Sequence, residues 1–176
     1  MPKTRIECFF WVCKGLIQRG FLCVDATKTQ VDNNKTPTFI TDDSLCVRPE
    51  QSITFRHFLT QSTIEISLNN NKLKLNHLHS GIEQNIGEGT RALNLLLSLC
   101  DKFNLDVVLD AYSTEKKIAT SRRLFKFYQR FGFKFDNEHE DWGDVADEQA
   151  LTDEDYLYGP AMIRVAKNKL ALVISN

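Results

Sequence analysis

Two glycines spaced one apart, Gly87 and Gly89, stand directly before an apolar run that reads as a helix, Arg91-Ala92-Leu93-Asn94-Leu95-Leu96-Leu97. Glycine lets the chain turn sharply and lets a ligand come close where a Cβ would block it. A helix leaves its first amides unpaired, and its dipole favours an anion at that end. These residues in this order suit a phosphate-bearing ligand. They equally suit a glycine-rich loop that starts an ordinary helix. One dinucleotide chemistry fits in part. Gly87-Glu88-Gly89-Thr90-Arg91-Ala92 has the form GxGxxA, and Asp110, about 20 residues on at a strand end, stands where a ribose-binding acid would. Against it, the strand pattern stops at His79, that strand has a hairpin partner upstream, and too little chain follows Asp110 for a second βαβ half. A nucleotide phosphate loop is excluded, because no GxxxxGK followed by Ser or Thr occurs.

Other residues could carry chemistry. His77 and His79 form an HxH on one face of a strand, with Leu73 and Leu75 on that same face. A metal site would need a third ligand, such as His57 or a carboxylate, and a core or ligand-lining role is the simpler reading. Cys8, Cys13, Cys23, Cys46 and Cys100 include no CxxC pair, as expected of free or buried thiols in a reducing cytosol. Glu83, Asp110 and Glu115 are acids that a general base could be drawn from.

The elements that must position these residues follow from periodicity. Trp11, Gly15, Leu16 and Arg19-Gly20 suggest a short helix, followed by a strand at Phe21–Val24. Thr27 to Asp43 is polar and turn-rich, with a short strand at Thr38–Thr41. Gln51 to Leu59 reads as a short helix or a strand. Ser62–Leu68 alternates apolar and polar, Asn69-Asn70-Asn71 is a turn cluster, and Lys72–His79 alternates again: a β-hairpin. From Thr90 to Phe103, the positions Ala92, Leu93, Leu96, Leu99, Cys100 and Phe103 recur at helical spacing. Asp106–Asp110 is a short strand. Ser121 can cap a helix that runs through Arg130 and ends at Gly132 in the C′ role. Phe133–Phe135, Met162–Ala166 and Leu170–Ile174 read as strands. Asp136 to Asp155 is an acidic loop that no Lys or Arg interrupts, with room for a helical turn. The order gives a mixed α/β (α+β) domain with antiparallel and parallel pairs.

On two motifs the chain resembles the GNAT family of acetyl-CoA-dependent N-acetyltransferases. Gln84-Asn85-Ile86-Gly87-Glu88-Gly89 matches the family's pyrophosphate loop (Arg or Gln, two residues, Gly, one residue, Gly or Ala) at every defined position. Tyr128-Gln129-Arg130-Phe131-Gly132-Phe133 matches its Y-x-x-x-G-F signature. The resemblance spans roughly Thr63 to Phe135, with an echo in Met162-Ile163-Arg164. It implies one GNAT-like domain: a variable part over 1–60, a CoA-binding core over 62–135, and an acidic loop with C-terminal strands over 136–176. It also implies a mostly antiparallel sheet with a parallel pair splayed around the CoA site and helices on both faces. The amides of Ile86, Gly87, Glu88, Gly89 and Thr90 would cradle the pyrophosphate. The strand edge at His77, Leu78 and His79 would pair with pantetheine. Ser121 stands where the family often has a coenzyme-contacting Asn, and Arg122-Arg123 are candidates for the 3′-phosphate. Tyr128 would protonate the departing thiolate, and Asp110 is the candidate base. The family's L-x-V before the loop is here His77-Leu78-His79, and the connection from Asp110 to Ser121 is longer than usual.

Composition agrees with this class and excludes others. Hydrophobic residues are 42% and charged residues 26% of 176 residues, with a net charge of −1. Such a balance gives no reason to expect nucleic acid or an anionic membrane as partner. No apolar run approaches the ~20 residues that span a bilayer, and no signal peptide is read. The expectation is a cytoplasmic enzyme that uses acetyl-CoA and no metal. Its acceptor would be an amine, small molecule or protein, and a cationic one suits the acidic run. A homodimer is left open. The alternatives are a non-catalytic CoA-binding or protein-interaction module of the same fold, and a Rossmann-type dinucleotide-binding protein.

Overall fold

The computed structural model describes residues 4–24, 52–81, 87–113, 117–138 and 147–167. The expected strands at Thr38–Thr41 and Leu170–Ile174 lie outside them, as do Gln84, Asn85 and Ile86. The chain divides into two compact units, Met1–Leu105 with Ala166–Asn176, and Asp106–Val165.

In the first unit, Thr4 caps helix α1 (Arg5–Ile17). Its hydroxyl accepts from the Glu7 amide at 3.2 Å, and the Glu7 carboxylate accepts from the Thr4 amide at 2.7 Å. This reciprocal pair satisfies two donors that a helix start leaves open. Cys8, Phe9, Val12, Cys13 and Leu16 form the buried side of α1. Strands β1 (Phe21–Val24), β2 (Ile53–His57), β3 (Thr63–Asn69) and β4 (Lys72–His79) then pair antiparallel in chain order. The stretch Gln51 to Leu59, ambiguous in sequence, thus holds a strand over Ile53–His57, with Gln51 outside the described residues. Asn70 and Asn71 turn the β3–β4 hairpin with φ of 46° and 61°, the left-handed pair that a tight hairpin needs and asparagine tolerates.

The register slips once. Glu65 faces His77 while Ile66 faces Leu75, so Asn76 is an extra residue in β4. Such a bulge sends every later side chain to the opposite face. Leu73 and Leu75 are in the core, but past the bulge Leu78 sits opposite buried Ile64, and His77 and His79 are exposed. The expectation that Leu73, Leu75, His77 and His79 share one face is therefore overturned. The Asn76 side-chain amide donates to Ser67 Oγ at 3.0 Å and Ser52 Oγ at 3.3 Å, tying the bulge to its neighbours.

Helix α2 (Glu88–Phe103) buries Leu93, Leu96 and Cys100 and packs against α1. It ends where Leu105 N–H reaches Cys100 O at 2.9 Å and Asn104 N–H reaches Asp101 O at 3.2 Å, with Asn104 at φ 58°. This is the Schellman closure, with asparagine in the usual glycine place.

In the second unit, β7 (Ala161–Arg164) pairs antiparallel with both β5 (Val107–Asp110) and β6 (Lys134–Phe135). Helix α3 (Ile118–Gln129) starts after Lys117, so Ser121 is not its cap: it lies a turn inside and is fully buried. Helix α3 closes as expected on Gly132, at φ 86°. Gly132 N–H reaches Gln129 O at 2.9 Å and Phe133 N–H reaches Tyr128 O at 3.4 Å. Buried Arg164 adds a donor there, Nε to Phe131 O at 3.0 Å. The acidic stretch holds a 3-10 turn (Glu148–Ala150) and a short helix α4 (Asp155–Tyr158). Helices and antiparallel strands together give the mixed α/β class read from the sequence.

Asn76→Ala removes both side-chain bonds but not the register slip. It should lower stability by about 1 kcal/mol, seen as a lower urea midpoint with unchanged slope.

Candidate functional site

Residue by residue, the glycine stretch is built as an open helix start. Gly87 is the N-cap of α2 with φ 84°, a conformation that a side-chained residue adopts only at a cost. Among the described residues no side chain caps this end, and Arg91 N–H already reaches Gly87 O at 2.9 Å. Gly89 differs. A Cβ built there would come no closer than 3.7 Å to Ser80, the residue after β4. Its φ is not positive, and the described residues leave room for a side chain. Glycine inside a helix costs about 1 kcal/mol relative to alanine, so this glycine has no reason within its own packing. Glu88 is buried, and its carboxylate accepts from the Arg91 guanidinium. Thr90 is half-buried.

At the end of β4, the rings of His77 and His79 stack with centroids 6.3 Å apart and planes 9° apart. Gly81 N–H donates to His79 Nδ1 at 3.0 Å, which assigns the ring proton of a neutral His79 to Nε2. Among the described residues, no group of three or more His, Cys, Asp or Glu side chains is arranged to hold a metal ion. Four cysteines are described, Cys8, Cys13, Cys23 and Cys100, all buried and outside any disulfide. Burial pushes the Cys13 thiol far up, with Cys23 and Cys100 adding to the effect. A thiol so protected from ionising is no nucleophile.

The second unit carries the other candidates. Asp110 ends β5 opposite Ala161 and is half-buried. The Ser121 hydroxyl accepts from the Ser113 amide at 3.1 Å. The Tyr128 ring lies edge-on to Phe127 at 5.2 Å and to Phe133 at 5.7 Å. Burial pushes its phenol up to about 12. Such a hydroxyl stays protonated at neutral pH, so it can give a proton but cannot begin as a base. Arg122 is engaged: it bonds the Asp153 carboxylate, and its guanidinium lies 4.7 Å from the centre of the Tyr156 ring. Part of the acidic run is therefore answered from α3. Gln129 also donates to Glu148 at 2.7 Å, and Asp136 is buried.

A cavity of about 290 Å³ opens in the first unit between the α1–β1 turn, the β2–β3 turn and the start of α2. Arg19, His57 and Arg91 line it. Sequence reasoning assigned it nothing and weighed His57 only as a third metal ligand. No spacing rule joins these three positions; only the fold does.

No family model matches the chain, and no curated protein matches it. Among solved structures, a protein from Bacteroides thetaiotaomicron, provisionally described as an acetyltransferase from the GNAT family, is similar at 18% identity with a TM-score of 0.43. That likeness covers 73% of this chain and 72% of the other.

Tyr128 should ionise well above the ordinary phenol range. Its protonated form is favoured in the folded state, so stability is unaffected below about pH 10. It then falls as pH rises from the ordinary phenol value toward about 12. Tyr128→Phe should remove the phenolate absorbance step near 12 and reduce that alkaline loss of stability.

Proposed function

We propose that the chain is a GNAT-type N-acetyltransferase that moves the acetyl group of acetyl-CoA directly to a primary amine. The observation that carries the reading is Gly89: a glycine in the first turn of α2 with no positive φ and with room for a side chain among the described residues. Close approach of a coenzyme phosphate would account for it. The adjacent end of α2 has no side-chain cap, and its amides suit an anion. The second support is the order of elements: hairpin, glycine loop, helix, strand, and a helix carrying Tyr128 into Gly132-Phe133.

In this reading Gln84, Asn85, Ile86, Gly87, Glu88, Gly89 and Thr90 hold the pyrophosphate. The strand end at His77, Leu78 and His79 lies along the pantetheine. An amine attacking a thioester needs to be neutral and close to the carbonyl. Asp110 would accept its proton. The tetrahedral intermediate collapses with release of the thiolate, which Tyr128 protonates. The acids of the 136–155 stretch would draw a cationic acceptor, and exposed Tyr158 offers an aromatic face beside them. The reaction belongs in the cytoplasm, where acetyl-CoA is supplied.

Two measurements test the reading. Gly89→Ala should fold with stability raised by roughly 0.5–1 kcal/mol and bind acetyl-CoA more weakly, because its Cβ stands where the phosphate approaches. Gly89→Trp should fold but lose acetyl-CoA binding in calorimetry; unchanged affinity there rejects the coenzyme assignment. Tyr128→Phe should lower kcat by about 10²–10⁴-fold with little change in acetyl-CoA affinity. Wild-type turnover, measured where chemistry limits the rate, reduces Tyr128 to packing.

A further inference from the structure

The cavity in the first unit has the composition of a ligand site, and its chemistry can be read from its walls. Its floor is apolar, formed by Phe21, Ala92 and Leu95. Its polar groups are mostly donors. Arg19 is exposed and makes no ion pair among the described residues, while its backbone is held by Arg19 N–H to Leu16 O at 3.0 Å. The Thr60 amide donates to His57 Nδ1 at 3.3 Å, and the Thr60 hydroxyl lies 3.1 Å from the same atom; with Nδ1 accepting from that amide, the neutral ring carries its proton on Nε2. The ring itself is held by Phe21, 5.1 Å away and edge-on, and by Phe58 at 5.4 Å. His57 therefore presents Nε2–H as a fixed donor, without a hydrogen-bond partner among the described residues.

The one acid in the wall is already matched. The Glu88 carboxylate accepts from Arg91, and only one end of that guanidinium is used. Buried Ser62 has its hydroxyl 2.9 Å from that of Thr60, so the two hydroxyls satisfy each other. What remains is Arg19, the rest of Arg91 and His57 Nε2–H, beside the positive end of α2. Three donor groups are left over, with Arg19 a cation that no acid in the wall answers, and they call for an acceptor with negative charge. The apolar floor calls for a hydrocarbon body behind it.

We infer that this cavity binds a small organic anion, an oxyanion carried on an apolar body, held by Arg19, Arg91 and His57. The cavity shares Glu88 and the start of α2 with the proposed acetyl-CoA contacts, but Arg19 and His57 come from turns that the coenzyme reading does not use. Its occupant is a carboxylate or a phosphate monoester, and the two are told apart by the probes.

Calorimetry on the full chain with benzoate, phenyl phosphate, benzamide and benzylamine tests this. Benzoate or phenyl phosphate should bind, and the one that binds more tightly names the anion. Neutral benzamide, nearly the same shape as benzoate, should bind at least about 10-fold more weakly, because the charge-assisted bonds are lost. Arg19→Gln, at an exposed position, should keep the wild-type melting temperature and weaken the anion by about 10-fold. Salt at about 1 M should weaken it further. Saturating acetyl-CoA should leave the anion bound. Absence of binding by both anions at millimolar concentration overturns the inference. So does equal binding of benzamide, unchanged affinity in Arg19→Gln, or preference for benzylamine, which would make Glu88 the recognising group. Displacement by acetyl-CoA also overturns it and makes the cavity part of the coenzyme site. Acetyl-CoA affinity is measured independently, so failure here leaves the acetyltransferase reading standing.

Discussion

Helix α2 is fastened at one end and open at the other, and the first unit is built on that asymmetry. Its C-terminus is closed by Asn104, whose carbonyl also accepts from the Arg5 guanidinium, and the Lys167 amide donates to Asp101 at 2.9 Å. Its buried side, Leu93, Leu96 and Cys100, is held in the core beside α1. These ties remove any need for a cap at the N-terminus to fix the helix in place. The start of α2 is left to carry two glycines, one of them with no packing reason among the described residues. A helix whose far end is over-determined can tolerate an unsatisfied near end, and that is where an anion gains most.

Much of this was legible in the chain itself. The strands at Phe21–Val24 and Lys72–His79 were read at their observed bounds, because alternation and turn residues delimit them clearly. Asn69-Asn70-Asn71 announced the hairpin, and Gly132 announced the end of α3, since each supplies a left-handed backbone that few residues tolerate. What the sequence misplaced is equally specific. A bulge leaves no mark in an alternating pattern: Lys72–His79 alternates by type throughout, yet Asn76 shifts its parity. Ser121 looked like a cap because serine favours that place, but its hydroxyl is used by the Ser113 amide across the connection. Tertiary context took the serine that local preference would have put at the helix start.

The site was half legible for the same reason. The glycines and Tyr128 sit in contiguous motifs, and motifs survive in one dimension. Arg19, His57 and Arg91 have no such grammar. They are brought together by the turn after α1, the turn after β2 and the start of α2. A histidine or arginine in a polar turn reads as surface until a neighbouring turn gives it a wall. The cationic side of the acidic run was hidden too: Arg122 is far from Asp153 in sequence and bonded to it in space.

One last feature concerns how the two units can be watched separately. The four described cysteines, Cys8, Cys13, Cys23 and Cys100, all lie in the first unit and are all buried. All four tyrosines, Tyr112, Tyr128, Tyr156 and Tyr158, lie in the second. Nature has in effect dyed the halves differently. A thiol reagent clocks the opening of one, while ultraviolet absorbance of phenolate follows the other. Whether the chain comes apart as one cooperative body or as two can thus be read from the wild-type protein, with no label added.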